Sequence, residues 1–181
     1  LKDGQRFGKV VEDGIIYYVN KIDYKRYVYS ADKEITIARI KNEIDGEPVT
    51  YISEAAFNGC SSLVSVTIPD NIDFIGDSAF AECTNLSSVD LGNGLKSIDI
   101  EAFFGCSSLT SIGIPGSMEY INDSAFDFCK HLSEIHAESF TKEEWRNIYD
   151  CRSNDMTVCL KDGKKDGKVK EEGITYYIDY D

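Results

Sequence analysis

A 23-residue unit is written three times in succession, at residues 64–86 (VSVTIPDNIDFIGDSAFAECTNL), 87–109 (SSVDLGNGLKSIDIEAFFGCSSL) and 110–132 (TSIGIPGSMEYINDSAFDFCKHL). Residues 48–63 (PVTYISEAAFNGCSSL) match the second half of the same unit. Four ladders therefore run at one period: Ala56/79/102/125, Phe57/80/103/126, Cys60/83/106/129 and Leu63/86/109/132. A unit this short cannot bury its apolar face alone, so a fixed period of this length means a solenoid in which neighbours stack.

Within the unit, residues 65–68, 88–91 and 111–114 alternate with period two, which predicts strands of a parallel sheet. Val66, Val89 and Ile112, with Ile68, Leu91 and Ile114, face the core in this reading. Pro69, Gly92 and Pro115 end each strand, since proline cannot donate to a ladder and glycine weakens it. A second apolar pair follows, Ile72/Leu95/Met118 and Ile75/Ile98/Ile121. The Ala-Phe-x-x-Cys-x-x-Leu segment then predicts a short helical turn, because those positions share one helical face.

The ends depart from the unit. Residues 1–47 form a β-rich lead-in with strands expected at 9–11, 15–20, 26–30 and 34–40, joined by Asp-Gly turns into a small antiparallel sheet that caps the first repeat. Residues 133–159 hold a degenerate last repeat, in which a strand at 133–137 is followed by Thr141-x-x-Glu144, a capping-box signature opening a helix to about Tyr149. Trp145, Ile148 and Tyr149 lie on one side of that helix, which reads as the C-terminal cap. A polar loop at 150–155 and a strand at 156–160 complete this part. Residues 160–181 begin a second copy of the N-terminal segment: LKDGKKDGKVKEEGITYYID repeats LKDGQRFGKVVEDGIIYYVN with twelve of twenty positions identical. This longer period suggests a module cut from a tandem array, or a degenerate copy acting as a cap.

The net charge is −13, and residues 49–132 carry eleven Asp/Glu against two Lys/Arg. Such a surface repels phosphate backbones, so nucleic acid is not an expected partner. No apolar run is long enough to cross a bilayer, and the start lacks a signal-peptide pattern, as in a mature or trimmed chain. Four of the six cysteines form the ladder. Equivalent positions in stacked parallel units lie ~5 Å apart with parallel Cβ directions, a poor approach for a disulfide, so buried free thiols are expected. Cys151 and Cys159 leave a bridge open. No CxxC, phosphate loop, HExxH or GxSxG occurs, so neither enzyme chemistry nor a metal or cofactor is expected.

A partner is sought instead on the outward strand positions Ser65, Thr67, Ser88, Asp90, Ser111, Gly113, Glu134 and His136, which stack into two columns. The loops after the strands, at Asp70-Asn71, Asn93-Gly94 and Gly116-Ser117, are the competing location.

These residues resemble the BspA-like, Treponema-type leucine-rich repeat, whose unit has the form L-x-x-I-x-I-P-x-x-[VL]-x-x-I-[GD]-x-x-A-F-x-x-C-x-x-L. The match runs over residues 48–132, with Gly92 standing where proline is expected. The resemblance implies a curved leucine-rich repeat solenoid, and a secreted or cell-surface bacterial protein that adheres to a protein or glycan on a host or neighbouring cell. It supplies no catalytic motif. A structural spacer in a tandem array, or a wall-associated targeting arm, is the alternative, the latter because the terminal segments faintly resemble Gly-Lys-Trp-Tyr-Tyr cell-wall-binding units. The fragment itself is expected to be monomeric.

Overall fold

The computed structural model of the protein describes residues 7–149, together with backbone strands at 157–160, 165–171 and 174–178. Strands β1 (Gly8–Glu12) and β2 (Ile15–Val19) form a hairpin, and β2 pairs antiparallel with β3 (Arg26–Ala31). The turn between β1 and β2 places Asp13 and Gly14 at φ 51° and 78°, the double left-handed geometry that an Asp-Gly pair accepts at low cost.

The chain then enters its coils. Strand β4 (Ile37–Arg39) is followed by β5 (Glu43–Ile44) and β6 (Glu47–Ile52). Each 23-residue unit contributes two short strands: β7 (Ser65–Thr67) and β8 (Phe74–Ile75), β9 (Ser88–Asp90) and β10 (Ser97–Ile98), β11 (Ser111–Gly113) and β12 (Tyr120–Ile121). The degenerate unit supplies β13 (Glu134–Ala137) and helix α1 (Lys142–Ile148), after which come β14 (Thr157–Leu160), β15 (Lys165–Glu171) and β16 (Ile174–Ile178). The result is a leucine-rich repeat solenoid of about five turns.

Two stacks of strands run along it. A long sheet has the order β1-β2-β3-β6-β8-β10-β12, parallel from β3 onward. The other stack is split into β4-β7-β9 and β11-β13-β14-β15-β16, with no ladder between β9 and β11. At the split, Val89 is only half-buried, whereas its equivalents Val66 and Ile112 are each 2% exposed. The break coincides with Gly92, two residues beyond β9, where φ is +64° and a Cβ would meet the Ile68 carbonyl oxygen at 2.5 Å. Proline, whose ring fixes φ at about −65°, cannot adopt that backbone conformation, and the close carbonyl bars any other side chain, so the position takes glycine.

The N-terminal expectation needs correction. β3 joins β2 antiparallel as expected, but its far edge pairs parallel with β6, and β4 joins no antiparallel sheet, pairing parallel with β7 in the register Ile37↔Ser65, Arg39↔Thr67. A coil therefore precedes residue 48. It lacks the Ala-Phe-x-x-Cys motif, and the Asp32 carbonyl takes the place of the usual phenylalanine carbonyl, accepting from Cys60 Sγ at 3.7 Å.

The Ala-Phe-x-x-Cys segments are runs of turns and not helix. Alternate amides leave the coil for its neighbour: Ala55, Phe57 and Gly59 N–H donate to the carbonyls of Asp77, Ala79 and Ala81 at 2.9, 2.7 and 2.8 Å. Phe80 N–H and Phe103 N–H repeat this to Ala102 and Ala125 at 2.7 and 2.8 Å. A helix would keep these donors inside the segment, and the stacking of coils claims them instead. Only i→i−3 bonds remain, such as Cys83 N–H to Phe80 O at 3.2 Å.

Inside the corner the Phe57, Phe80, Phe103 and Phe126 rings stack at 4.8, 5.1 and 5.5 Å between centroids, tilted by 13° or less. Beside them Cys83, Cys106 and Cys129 Sγ donate to the carbonyls of Phe57, Phe80 and Phe103 at 3.2, 3.2 and 3.1 Å. The four ladder thiols are free, as the spacing argument predicts, and three are buried. Cys151 and the Cys159 side chain lie outside the described residues, as does any bridge between them.

Burial pushes the Cys83 thiol up from its ordinary value of 9.0 to about 12, and burial pushes Tyr17 up from 10.0 to about 12. In the unfolded chain both groups ionise at their ordinary values, so above pH ~9 unfolding releases protons and stability falls as pH rises toward 12. Urea midpoints measured from pH 8 to 11 should decline, and the decline should be smaller in Cys83→Ala. Cys60, Cys83 and Cys106 should resist a thiol reagent until the fold opens.

At the C-terminal end α1 has the expected capping box: Thr141 Oγ1 accepts from Glu144 N–H at 3.3 Å, and Thr141 N–H donates to Glu144 Oε2 at 2.8 Å. Trp145 and Tyr149 are buried, and the Tyr149 ring stands edge-on to Phe126 at 6.1 Å, closing the aromatic stack.

Candidate functional site

The predicted outward columns exist as continuous registers only on each side of the split. Ser65 pairs with Ser88 and Thr67 with Asp90, while Ser111 pairs with Glu134 and Gly113 with His136. Thr67, Ser88, Asp90, Ser111 and Gly113 are exposed; Ser65, Glu134 and His136 are half-buried. Across the split the structure gathers Asp90, Gly113 and His136 with Asn93 and Glu138 around an open depression of about 210 Å³. His136 sits between two carboxylates, with Nδ1 at 3.0 Å from Glu138 Oε1 and Nε2 at 3.5 Å from Glu134 Oε2. Ser65, Thr67, Ser88 and Ser111 do not line this depression.

A loop ledge borders the depression. Asp70 Oδ1 accepts from the Asn93 amide at 2.7 Å and from Asn93 Nδ2 at 3.3 Å, so the loop after β9 lies directly on the loop after β7. Of the competing loop positions, Asp70, Asn71, Asn93 and Ser117 are engaged in holding coils together, Asn71 Nδ2 donating to the Asn42 carbonyl at 2.8 Å and Ser117 Oγ to the Leu95 carbonyl at 2.6 Å.

The long sheet carries a row that sequence reasoning did not single out. Successive Cα partners across seven strands are Lys9, Tyr18, Tyr27, Tyr51, Phe74, Ser97 and Tyr120. Tyr27 and Tyr51 stack at 4.5 Å with 15° between planes, and Tyr18 lies 5.6 Å from Tyr27 and 5.9 Å from Tyr29. Lys9 Nζ stands 4.9 Å from the Tyr29 ring centre, a cation–π contact. Desolvation raises Tyr27, and it raises Tyr51 from 10.0 to about 12, so both phenols stay protonated at neutral pH. Lys9 and Tyr120 are exposed and the five places between them half-buried, and Tyr29 beside the row is 42% exposed, which makes the row a surface and not core.

The signal for this row was present in the alternation of β2 and β3. Tyr17 and Val19 are buried with Tyr18 between them, and Arg26 and Val28 are buried with Tyr27 between them. The strand period assigns Tyr18 and Tyr27 outward. What sequence could not supply was the parallel junction of β3 with β6, which joins the hairpin to the repeats.

Among the described residues there is no cluster of three or more His, Cys, Asp or Glu side chains able to hold a metal ion, and no helix is long and apolar enough to cross a membrane.

Comparison with solved structures gives the fold a setting. The chain is similar to a leucine-rich repeat protein from Bacteroides capillosus ATCC 29799, with 30% identity over 71% of this chain and 96% of that one and a TM-score of 0.63. It is similar to the leucine-rich repeat protein of T. pallidum at 25% identity, covering 77% of this chain and 79% of that one with a TM-score of 0.58. A leucine rich cell surface protein from Faecalibacterium prausnitzii A2-165 matches at 26% identity over 81% of this chain and 43% of that one, with a TM-score of 0.56. Comparison with functionally curated proteins finds no significant match. A family model for the BspA type leucine rich repeat region matches six copies over residues 25–156, from the coil that precedes residue 48 to the edge of β14. By that match, and by the stacked Phe and Cys ladders that give its repeats their physical meaning, the chain belongs to the BspA-type leucine-rich repeat family.

Proposed function

We propose that this chain is a non-enzymatic binding module of a bacterial surface or secreted protein, and that its contact surface for a protein or glycan ligand is the tyrosine row of the long sheet. The observation that carries this reading is the row itself. Tyrosine offers large, rigid contact area with a polar tip, and aromatic residues anchor most interfaces. The predicted columns at Ser65, Thr67, Ser88, Asp90, Ser111, Gly113, Glu134 and His136 are small and polar and offer no comparable anchor. The cell-surface description of the Faecalibacterium protein supports an extracellular setting. A net charge of −13 favours a neutral or basic ligand and disfavours nucleic acid and anionic bilayers.

The test uses serine substitutions, because Ser97 already occupies one place in the same row. The chain is screened against a glycan array and extracellular host proteins, and hits are measured with Tyr51→Ser/Tyr120→Ser and with Thr67→Ala/Asp90→Ala. The tyrosine pair should weaken binding by at least about tenfold while the second pair changes it by less than about threefold. The reverse ranking moves the site to the split sheet. A second reading, a spacer module, is favoured by the 159-residue period between the two hairpin sequences, and it stands if neither one module nor two in tandem bind anything.

A further inference from the structure

Residues 160–179 do more than resemble residues 1–20 in sequence. β15 and β16 form the same hairpin as β1 and β2, pair for pair: Gly167↔Ile178, Lys168↔Tyr177, Val169↔Tyr176 and Glu171↔Ile174 reproduce Gly8↔Val19, Lys9↔Tyr18, Val10↔Tyr17 and Glu12↔Ile15. The two hairpins are held by opposite edges. β2 is paired on its far side with β3, whereas β15 is paired on its far side with β14 through Thr157↔Gly167, Val158↔Asp166 and Cys159↔Lys165. Among the described residues no strand lies on the far side of β16 or of β1. Each copy therefore leaves open the edge that the other copy has filled.

The differences between the copies follow the same logic. In the first hairpin Val10, Ile15, Tyr17 and Val19 are buried against the coils, and Tyr17 Oη accepts from the Lys41 amide at 2.9 Å. The Gly14 carbonyl accepts from the Asp32 amide at 2.8 Å, and Glu12 pairs with Lys41 Nζ at 3.5 Å. The second copy keeps these as Val169, Glu171, Gly173, Ile174 and Tyr176, with Ile178 for Val19. Its departures include Lys170 at the place of Val11, which is 66% exposed in the first hairpin, and Thr175 at the place of Ile16. A hairpin that served only to cover the end of this solenoid would have no use for keeping Glu171 and Tyr176, whose counterparts Glu12 and Tyr17 in the first hairpin both meet Lys41 of the module body.

We infer that the 160–179 hairpin is a joint between modules, whose first strand closes the split sheet of this module and whose second strand receives the Arg26–Ala31 strand of a second copy of the module following in the same chain. The occupant of the open β16 edge is thus a strand of the β3 type, backed by its own β6. The joined sheet runs from β11 through β16 into the long sheet of the next module, and open strand edges disappear at the junction. Lys168 and Tyr177 then stand where Lys9 and Tyr18 stand in the tyrosine row, so this module supplies the first two places of its successor's row. The inference rests on strand register and holds whether or not the row binds a ligand.

Two proteins test it. In the first, the eight differing positions of residues 1–20 are changed to the second copy's residues (Q5K, R6K, F7D, V11K, D13E, I16T, V19I and N20D) within the full chain. The joint requires the changed hairpin to dock, so amide hydrogen exchange at residues 15–19 should stay within about tenfold of the parent. Loss of protection there, or failure to fold, overturns the proposal. In the second, residues 1–179 are followed directly by residues 21–181, and exchange at residues 174–178 is compared with that in the 181-residue chain. Those amides should slow by at least about a hundredfold as they gain partners on their open edge. Equal rates in the two proteins would refute the joint.

Discussion

Replacing Phe80 by alanine is expected to remove about 4 kcal/mol of stability, in the middle of the range for truncating a buried aromatic residue. Phe80 is fully buried and has a ring stacked on each side, Phe57 at 4.8 Å and Phe103 at 5.1 Å. The cavity would open in the middle of the stack, where backbone bonds from both adjoining coils fix the walls and limit collapse. Each lost ring pair, worth ~0.5–1.5 kcal/mol beyond area burial, is part of that loss. Because a solenoid's stability is close to a sum over neighbouring units, the loss should also divide the unfolding transition. Urea unfolding followed by tryptophan fluorescence reports the C-terminal half, since Trp145 is the one tryptophan, and far-ultraviolet circular dichroism reports the whole. The two curves should coincide for the parent and separate for Phe80→Ala. Coincident curves with a loss below about 2 kcal/mol would show that the corner repacks freely.

Gly94→Ala should cost about 3 kcal/mol, at the top of the usual range for overpacking. A Cβ at residue 94 would lie 1.7 Å from the Asp70 carbonyl oxygen, a backbone atom that a rotamer change cannot move aside. The loop after β9 would have to lift off the loop after β7, taking with it the Asn93 amide bond to Asp70 Oδ1. Gly113→Ala is the matched control: nothing lies within 4 Å of its Cβ position, and its φ is not left-handed. Alanine there should be neutral or stabilising by up to about 1 kcal/mol, as expected when glycine is replaced in an extended conformation it does not need. Midpoints for the two variants, measured side by side, decide the matter; similar losses at both positions would mean that the loop stack is soft.

The parts of the fold that were legible in the sequence are those where repetition and burial coincide. The Phe, Cys and Leu ladders, the 65–68, 88–91 and 111–114 strands and the capping box at Thr141 are each specified by local pattern. The Ala-Phe-x-x-Cys corner was legible in its burial but not its conformation, because inward positions 0, 1, 4 and 7 suit a helical face as well as a chain of turns. Only the neighbouring coil, by accepting the Phe57, Phe80 and Phe103 amides, decides between them. The pairing of β3 with β6 was illegible for a similar reason: Arg26–Ala31 follows a hairpin and reads as its third antiparallel strand, and its parallel far-side partner begins over fifteen residues later. The tyrosine row depends on that pairing. The split between β9 and β11 had only Gly92 as its mark, and a glycine at a strand end is too common a punctuation to announce a broken ladder.

That split sets how the solenoid responds to force. Most neighbouring coils of the repeat region are held by a corner ladder, the long sheet and a second strand ladder. Between residues 87–109 and 110–132 the second strand ladder is missing, and the backbone bonds that remain are the corner bonds of Phe103 and Gly105 and those about the β10–β12 pair, with side-chain bonds such as Ser117 Oγ to Leu95 O and Cys129 Sγ to Phe103 O beside them. Under tension applied along the axis, this junction, which lacks a second strand ladder, would yield first. The chain would lengthen there first, coil by coil on either side, and shed load in steps while the remaining coils stay folded.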